Sequence, residues 1–234
     1  MMRKKSSFYF SLVLFLLISS NAFTQPTSLE TKVAITTPLQ YLLYSPVDIE
    51  EKSPLVVFLH GGGEGGTDIE KVKIHGIPKL ISEGKKFHFY MIAPQNPYLR
   101  GLWDDREVDK LIDEVVNTHN VDPDRIYLVG MSRGGYGVWR MAINNPGKYA
   151  AMISVCAASI PSIYTNRVEN LPVWFFHGEK DNVVPVEVSI NAYNKMKANN
   201  QNVKLTLYPE AGHDSWTETF LNDEIYEWLL SKSN

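Results

Sequence analysis

The sequence predicts a single α/β domain, a mostly parallel central sheet with helices on both faces. Three observations predict it. Continuous apolar runs such as Leu55-Val56-Val57-Phe58-Leu59 and Ile126-Tyr127-Leu128-Val129 have the composition of strands buried on both sides. Other segments have helical spacing, as with Val108, Leu111, Ile112 and Val115 within residues 107–118. The two kinds alternate along the chain, the pattern of a parallel sheet covered twice.

Taken in order, the first residues read as an address. Arg3, Lys4 and Lys5 precede an apolar run over 8–18, and Ser20-Asn21-Ala22 supplies the small residues of a cleavage site. Residues 1–22 are therefore expected to be a signal peptide, giving a periplasmic or extracellular destination. The apolar run is shorter than the ~20 residues that span a bilayer, so no stable membrane anchor is expected. Residues 23–234 suit one catalytic domain with a sizeable core. Strands are expected at 33–35 and 41–44, as an antiparallel edge, then at 55–59, 87–92, 126–129, 151–155, 173–176 and 203–208. Helices are expected over 107–118, after the 126–129 strand until Asn144-Asn145-Pro146-Gly147, and over 186–198 and 220–230. The 158–172 connection is too short for a large lid, which implies an open cleft.

A net charge of −3 offers no basic footprint for nucleic acid. The single cysteine, Cys156, cannot form an internal disulfide and lies in an apolar run, where a buried thiol is expected. In sheets of this kind ligands bind outside the carboxyl ends of the strands, so chemistry is sought there.

Gly130-Met131-Ser132-Arg133-Gly134 stands at such an end, between an apolar strand and a helix-period segment. Chance alone produces Gly-x-Ser-x-Gly in roughly one chain of this length in ten. Its strand–turn–helix context makes it a nucleophile elbow, where glycines remove clashes and Ser132 projects above the sheet. His60-Gly61-Gly62-Gly63 comes directly after the first buried strand. The region also matches G-x-G-x-x-G, but no capped helix opens on its last glycine and Pro78 interrupts the next segment. The better reading is an oxyanion loop, with the Gly62 N–H as one donor, Gly63 next in line, and the Arg133 N–H as the partner. His60 and His177 are expected to pack structurally. Asp181, with Glu179 as competitor, and His213 each lie in a loop past a later strand.

The order Ser132, Asp181, His213, with the glycine loop upstream, is that of the α/β-hydrolase triad. It implies acyl-enzyme chemistry that needs no cofactor and no metal. The acids at 104, 105, 109, 113 and 114 evoke a glycosidase pair, but lie at a helix start and on a helical face, where water and the helix dipole suit them.

These residues resemble the compact secreted esterases of the dienelactone-hydrolase and prolyl-oligopeptidase-like branch, including feruloyl and acetyl esterases and polyhydroxybutyrate depolymerases. The resemblance rests on the elbow and the His60 loop, with Ala93-Pro94-Gln95-Asn96-Pro97, Asp122-Pro123-Asp124-Arg125, His177-Gly178-Glu179-Lys180-Asp181 and Gly212-His213-Asp214-Ser215-Trp216. It implies that Gln95 and Trp103 border the active site. Trp103 and Trp216 also stand near strand-end loops, as pocket walls or as ordinary packing. Two positions depart from the pattern. Arg133 stands where relatives often carry an apolar residue, and Gly65 where they often carry arginine. The Arg133 side chain is open to three readings: an extra donor near the oxyanion, a holder for an acidic substrate group, or a surface ion pair.

The expected substrate is a small or polysaccharide-linked carboxylic ester, acetyl or feruloyl. A serine peptidase and a non-catalytic binding module on the same fold are the alternatives. Oligomeric state is left open.

Overall fold

The computed structural model describes residues 39–46, 48, 52–200 and 202–234. The expected signal peptide and the expected strand at 33–35 lie outside them.

Seven strands form one sheet: β1 (Tyr41–Tyr44), β2 (Ser53–Leu59), β3 (Tyr90–Pro94), β4 (Val121–Met131), β5 (Ala151–Val155), β6 (Val173–Gly178) and β7 (Val203–Tyr208). Their order is β1-β3-β2-β4-β5-β6-β7. Only β1 is antiparallel, pairing Tyr41 with Pro94 on β3; the remaining neighbours run parallel. Six helices cover the sheet: α1 (Gly76–Ser82), α2 (Asp105–Thr118), α3 (Arg133–Asn144), α4 (Glu187–Lys197), α5 (Trp216–Leu221) and α6 (Glu224–Leu230).

Strand alternation divides the core in two. Leu55, Val57 and Leu59 of β2 join Leu128 and the apolar stripes of α2, α3 and α4 on one face. Val56 and Phe58 join Tyr127, Val129 and residues of α1, α5 and α6 on the other. Every residue of β2 is buried, which is why its sequence shows no polar alternation. Trp139 of α3 reaches the sheet and donates its indole N–H to Ser154 Oγ at 2.9 Å, so burial leaves that group partnered.

Three expectations need correction. The β3 strand begins at Tyr90 rather than 87. The closing helix is two helices, because Asn222 leaves the helical conformation (ψ 113°) and its Oδ1 accepts the Glu224 N–H at 3.0 Å. Structure also succeeds the glycine loop despite Pro78: a 3₁₀ turn over Ile69–Lys73, capped by Asp68, leads to α1. Pro78 sits in the first turn of α1, where a missing N–H breaks no helical hydrogen bond. Between β5 and β6 the chain forms only a 3₁₀ turn, Ser162–Val168, and no lid. No helix among the described residues is long and apolar enough to cross a membrane.

Candidate active site

The site forms where β2, β4, β6 and β7 end. β4 ends at Met131 and α3 begins at Arg133, so Ser132 alone makes the turn, with φ 51° and ψ −117°. Such a conformation costs an L-residue on the order of 1–3 kcal/mol and persists only where its surroundings enforce it. Here the backbone enforces it: the Ser132 N–H donates to Val155 O at 2.9 Å, and its carbonyl accepts from Ala158 N at 2.9 Å. The crossing is tight, since a Cβ at Gly134 would lie 1.9 Å from Leu59 O and one at Gly130 2.4 Å from Gly134 O. Ser132 occupies the N-cap of α3, yet its hydroxyl caps nothing.

That hydroxyl lies 3.0 Å from His213 Nε2. His213 Nδ1 lies 2.7 Å from Asp181 Oδ2. A carboxylate only accepts, so Nδ1 carries the proton and Nε2 is left to accept from Ser132. The Asp181 side chain is wholly buried. Burial alone would raise its carboxyl pKa, but hydrogen bonds from His213, Val184 and Val183 outweigh it and hold the group below the usual carboxylate value. His177 Nε2 stands 3.1 Å from the same Oδ2 and 3.0 Å from Val184 O, both acceptors, so it is an N–H donor; its Nδ1 then accepts from Ser189 Oγ at 2.8 Å. This second histidine on Asp181 is a contact that the sequence alone does not disclose. Asp181 follows His177 at i+4 in His177-Gly178-Glu179-Lys180-Asp181, the local signal for it. Beneath lies Cys156, fully buried, its thiol pushed up to about 12 by burial.

On the opposite side stands the glycine loop. His60 is buried; Nδ1 lies 2.8 Å from Gly61 O and Nε2 accepts the Asn96 N–H at 3.0 Å. Burial is the main reason that its pKa drops to about 4, so the ring is neutral with the proton on Nδ1. A trans peptide places C=O and the next N–H on opposite sides. Holding the Gly61 oxygen therefore turns the Gly62 N–H away from the buried ring, toward the exposed side of the loop. Among the described residues nothing accepts from that N–H. The Arg133 N–H is at the first position of α3, where helices leave amides unpaired and oriented for an anion.

Gln95 and Trp103 are not walls of this site. Gln95 is 1% exposed, and its Nε2 donates to Glu64 O (2.8 Å) and Asp68 O (2.7 Å), stitching the loop after β2 to the end of β3. Trp103 is 2% exposed and packs edge-on against the His60 ring at 4.7 Å. Both brace the glycine loop from behind. Trp216 is half-buried and stands edge-on to His213 at 5.3 Å, the one aromatic of the three beside the reacting groups.

The two departures meet in one contact. A Cβ on Gly65 would lie 2.6 Å from Arg133 Nη2 and 2.7 Å from Tyr98 O. The Arg133 guanidinium occupies the space beside residue 65, and Nη1 donates to Leu99 O at 2.9 Å. Among the described residues no carboxylate is within ion-pair distance of it, although it feels the charge of Glu64.

Asp105 is bound to Arg140 and Asn144, and Asp109 to Asn145, Lys148 and Tyr149, which removes them as a glycosidase pair. Asp105, Asp109, Arg140, Asn144 and Asn145 line a surface concavity of about 770 Å³ between α2 and α3; another of about 600 Å³ lies near residues 166–172 and 231–234. Neither is lined by Ser132, Asp181 or His213.

Sheet order, elbow and covering helices define an α/β-hydrolase fold. Residues 103–229 match the phospholipase/carboxylesterase family, and the chain belongs to it. It is similar to a bifunctional acetylxylan esterase/xylanase of Neocallimastix patriciarum, 25% identical over 150 residues, which are 61% of this chain and 21% of that protein. A thermostable esterase structure superposes with a TM-score of 0.73 at 31% identity, covering 84% of this chain and 60% of that one. The ferulic-acid complex of Est1E from Butyrivibrio proteoclasticus shares the fold, with a TM-score of 0.60 at 19% identity over 83% of this chain and 95% of that one. The chain spans less than half the length of the first curated relatives it matches.

Proposed function

We propose that the protein is an exported serine carboxylic-ester hydrolase, its catalytic domain in residues 23–234. The chain of contacts from Ser132 through His213 to Asp181 carries this reading. His213 Nε2 takes the Ser132 proton as Oγ attacks the ester carbonyl, and Asp181 keeps the ring in the required tautomer and stabilises the imidazolium. The Gly62 and Arg133 amides face the developing oxyanion; one such donor is worth about 3 kcal/mol of barrier. His213 then protonates the leaving alcohol, and water repeats the sequence on the acyl-enzyme. No metal or cofactor takes part in these steps.

The substrate class is an acyl ester such as acetate or ferulate on a polysaccharide or small alcohol. The open site and the acetylxylan esterase among the relatives support it. Export rests on residues 1–22. Labelling with a fluorophosphonate probe, together with turnover of p-nitrophenyl acetate, tests the mechanism. Wild type should react in both assays and Ser132→Ala in neither; an unlabelled wild type would refute it. Acetylated xylan, methyl ferulate and aminoacyl anilides then rank the substrates, and activity confined to the anilides would replace esterase by peptidase.

A further inference from the structure

Setting aside the Ser215 hydroxyl, which pairs with the Cys156 thiol, and that of Ser53, five buried side-chain atoms among the described residues lack a hydrogen-bond partner, in residues 95, 103, 133 and 216. Arg133 and Trp216 stand beside Ser132 and His213, whereas Gln95 and Trp103 lie behind the glycine loop. Orphan polar atoms are rare in folded proteins, and where they gather they mark a place kept for something other than stability.

Glu64 lies in the same neighbourhood, within the field of Arg133. Its side chain is 4% exposed, and among the described residues no other residue donates a hydrogen bond to either carboxylate oxygen. His60 Nδ1 is 3.7 Å from Oε2, but its hydrogen is committed to Gly61 O. His75 Nε2 is 4.0 Å from Oε1. Burial raises the Glu64 carboxyl above its ordinary value, with its own backbone N–H and the positive field of His75 and Arg133 working the other way. A buried carboxylate so poorly partnered opposes folding.

Its position gives the reason to keep it. A methyl group on Gly61 would touch Glu64 Oε2 at 3.4 Å and Ser132 Cβ at 3.6 Å, so carboxylate and nucleophile flank the same Cα. The His75 ring stands 5.4 Å from Trp216, whose other neighbour is His213, closing an arc from Glu64 back to the triad. A group attached close to the ester carbonyl is therefore within reach of Glu64. A full cation there meets the field of Arg133, whereas a hydroxyl donates one hydrogen bond and brings no charge.

We propose that Glu64 is a specificity residue of this site, accepting a hydrogen bond from a substrate hydroxyl vicinal to the ester oxygen or β to the carbonyl. The proposal rests on the esterase reading. It predicts selection for monoesters of diols and sugars, or for esters of β-hydroxy acids, over otherwise similar esters lacking the donor.

Matched pairs test it: 2-hydroxyethyl acetate against 2-methoxyethyl acetate for the alcohol side, and ethyl 3-hydroxybutyrate against ethyl 3-methoxybutyrate for the acyl side. The readout is the ratio of kcat/KM within a pair, which a general loss of folding or catalysis does not move. In wild type one pair should favour the hydroxy ester by roughly tenfold or more. Glu64→Leu should bring that ratio to about one, and Glu64→Gln, whose amide oxygen still accepts, should retain part of it. Thermal melting at pH 7 should place Glu64→Gln at or above wild type, since the substitution removes a buried charge. A wild type indifferent to both pairs, a Glu64→Leu variant with the wild-type ratio, or a marked drop in Tm for Glu64→Gln would overturn the assignment. If Glu64→Leu does not fold, the wild-type ratios and Glu64→Gln decide. If wild type turns over no ester, p-nitrophenyl acetate included, the esterase reading has failed instead.

Discussion

The two sides of the site are built on opposite terms. On the acid–base side the polar atoms of Asp181 and of the two histidines that meet it are partnered: Asp181 Oδ1 takes two backbone amides, Oδ2 takes His213 and His177, and His177 is satisfied at both nitrogens. On the oxyanion side a framework of hydrogen bonds from His60, Gln95 and Asn96 holds the backbone, while Glu64 and two nitrogens of Arg133 receive no partner from another residue. The difference separates two tasks. Proton transfer needs one fixed geometry, and saturation fixes it. Recognition needs groups whose hydrogen bonds are completed only by what arrives.

Breaking the saturated side should have the largest effects. His213→Ala is expected to lower kcat by about 10⁶-fold, and the double variant with Ser132→Ala should be no worse, because the two act as one unit. Steady-state kinetics with active-site titration would check both. Asp181→Asn leaves the contacts near their present geometry but favours the wrong His213 tautomer, and kcat should fall about 10⁴-fold. On the oxyanion side His60→Phe removes the bond that orients the Gly61–Gly62 peptide. Here kcat should fall about 10²-fold with KM little changed, the signature of a misaligned amide donor.

The same variant sharpens the comparison through stability. His60 has a folded pKa of about 4 against 6.5 in the unfolded chain, so below pH 6.5 the unfolded state binds the extra proton. Wild type should therefore lose about 2 kcal/mol from this group between pH 7 and pH 5. Glu64 acts in the opposite direction, because its raised pKa makes folding more favourable as pH falls toward 4.5. Urea unfolding at the two pH values should show a smaller acid loss in His60→Phe than in wild type, and a larger one in Glu64→Gln. Gly65→Ala pushes a Cβ against Tyr98 O and Arg133 Nη2 and should cost about 1–3 kcal/mol by the same unfolding measurement.

The contrast also explains what the sequence discloses. β2 and the 126–129 part of β4 are legible because strand segments buried on both faces are apolar, whereas the polar, partly exposed start of β4 at 121–125 is not, and the elbow is legible because Gly130 and Gly134 have no substitute at such close approach. Ser132, Asp181 and His213 are legible from chain order and strand ends. Gln95 and Trp103 are not, because a motif puts a segment near the site without saying which way a side chain turns. The bond of His177 to Asp181 and the isolation of Glu64 depend on tertiary contacts that local sequence does not record. The departures at 65 and 133 look independent in sequence and become one fact in space. The break at Asn222 is a local turn inside a stretch whose apolar spacing reads as continuous helix.

The short 3₁₀ turn between β5 and β6 has a consequence for kinetics. An enzyme with a hinged cover gains activity when a lipid–water interface opens it. That connection holds a seven-residue 3₁₀ turn and, among the described residues, no hinged cover, so the rate is expected to track dissolved substrate alone and pass through the solubility limit of a longer-chain ester without a jump. Emulsions and micelles would act on it as reservoirs of substrate rather than as activators.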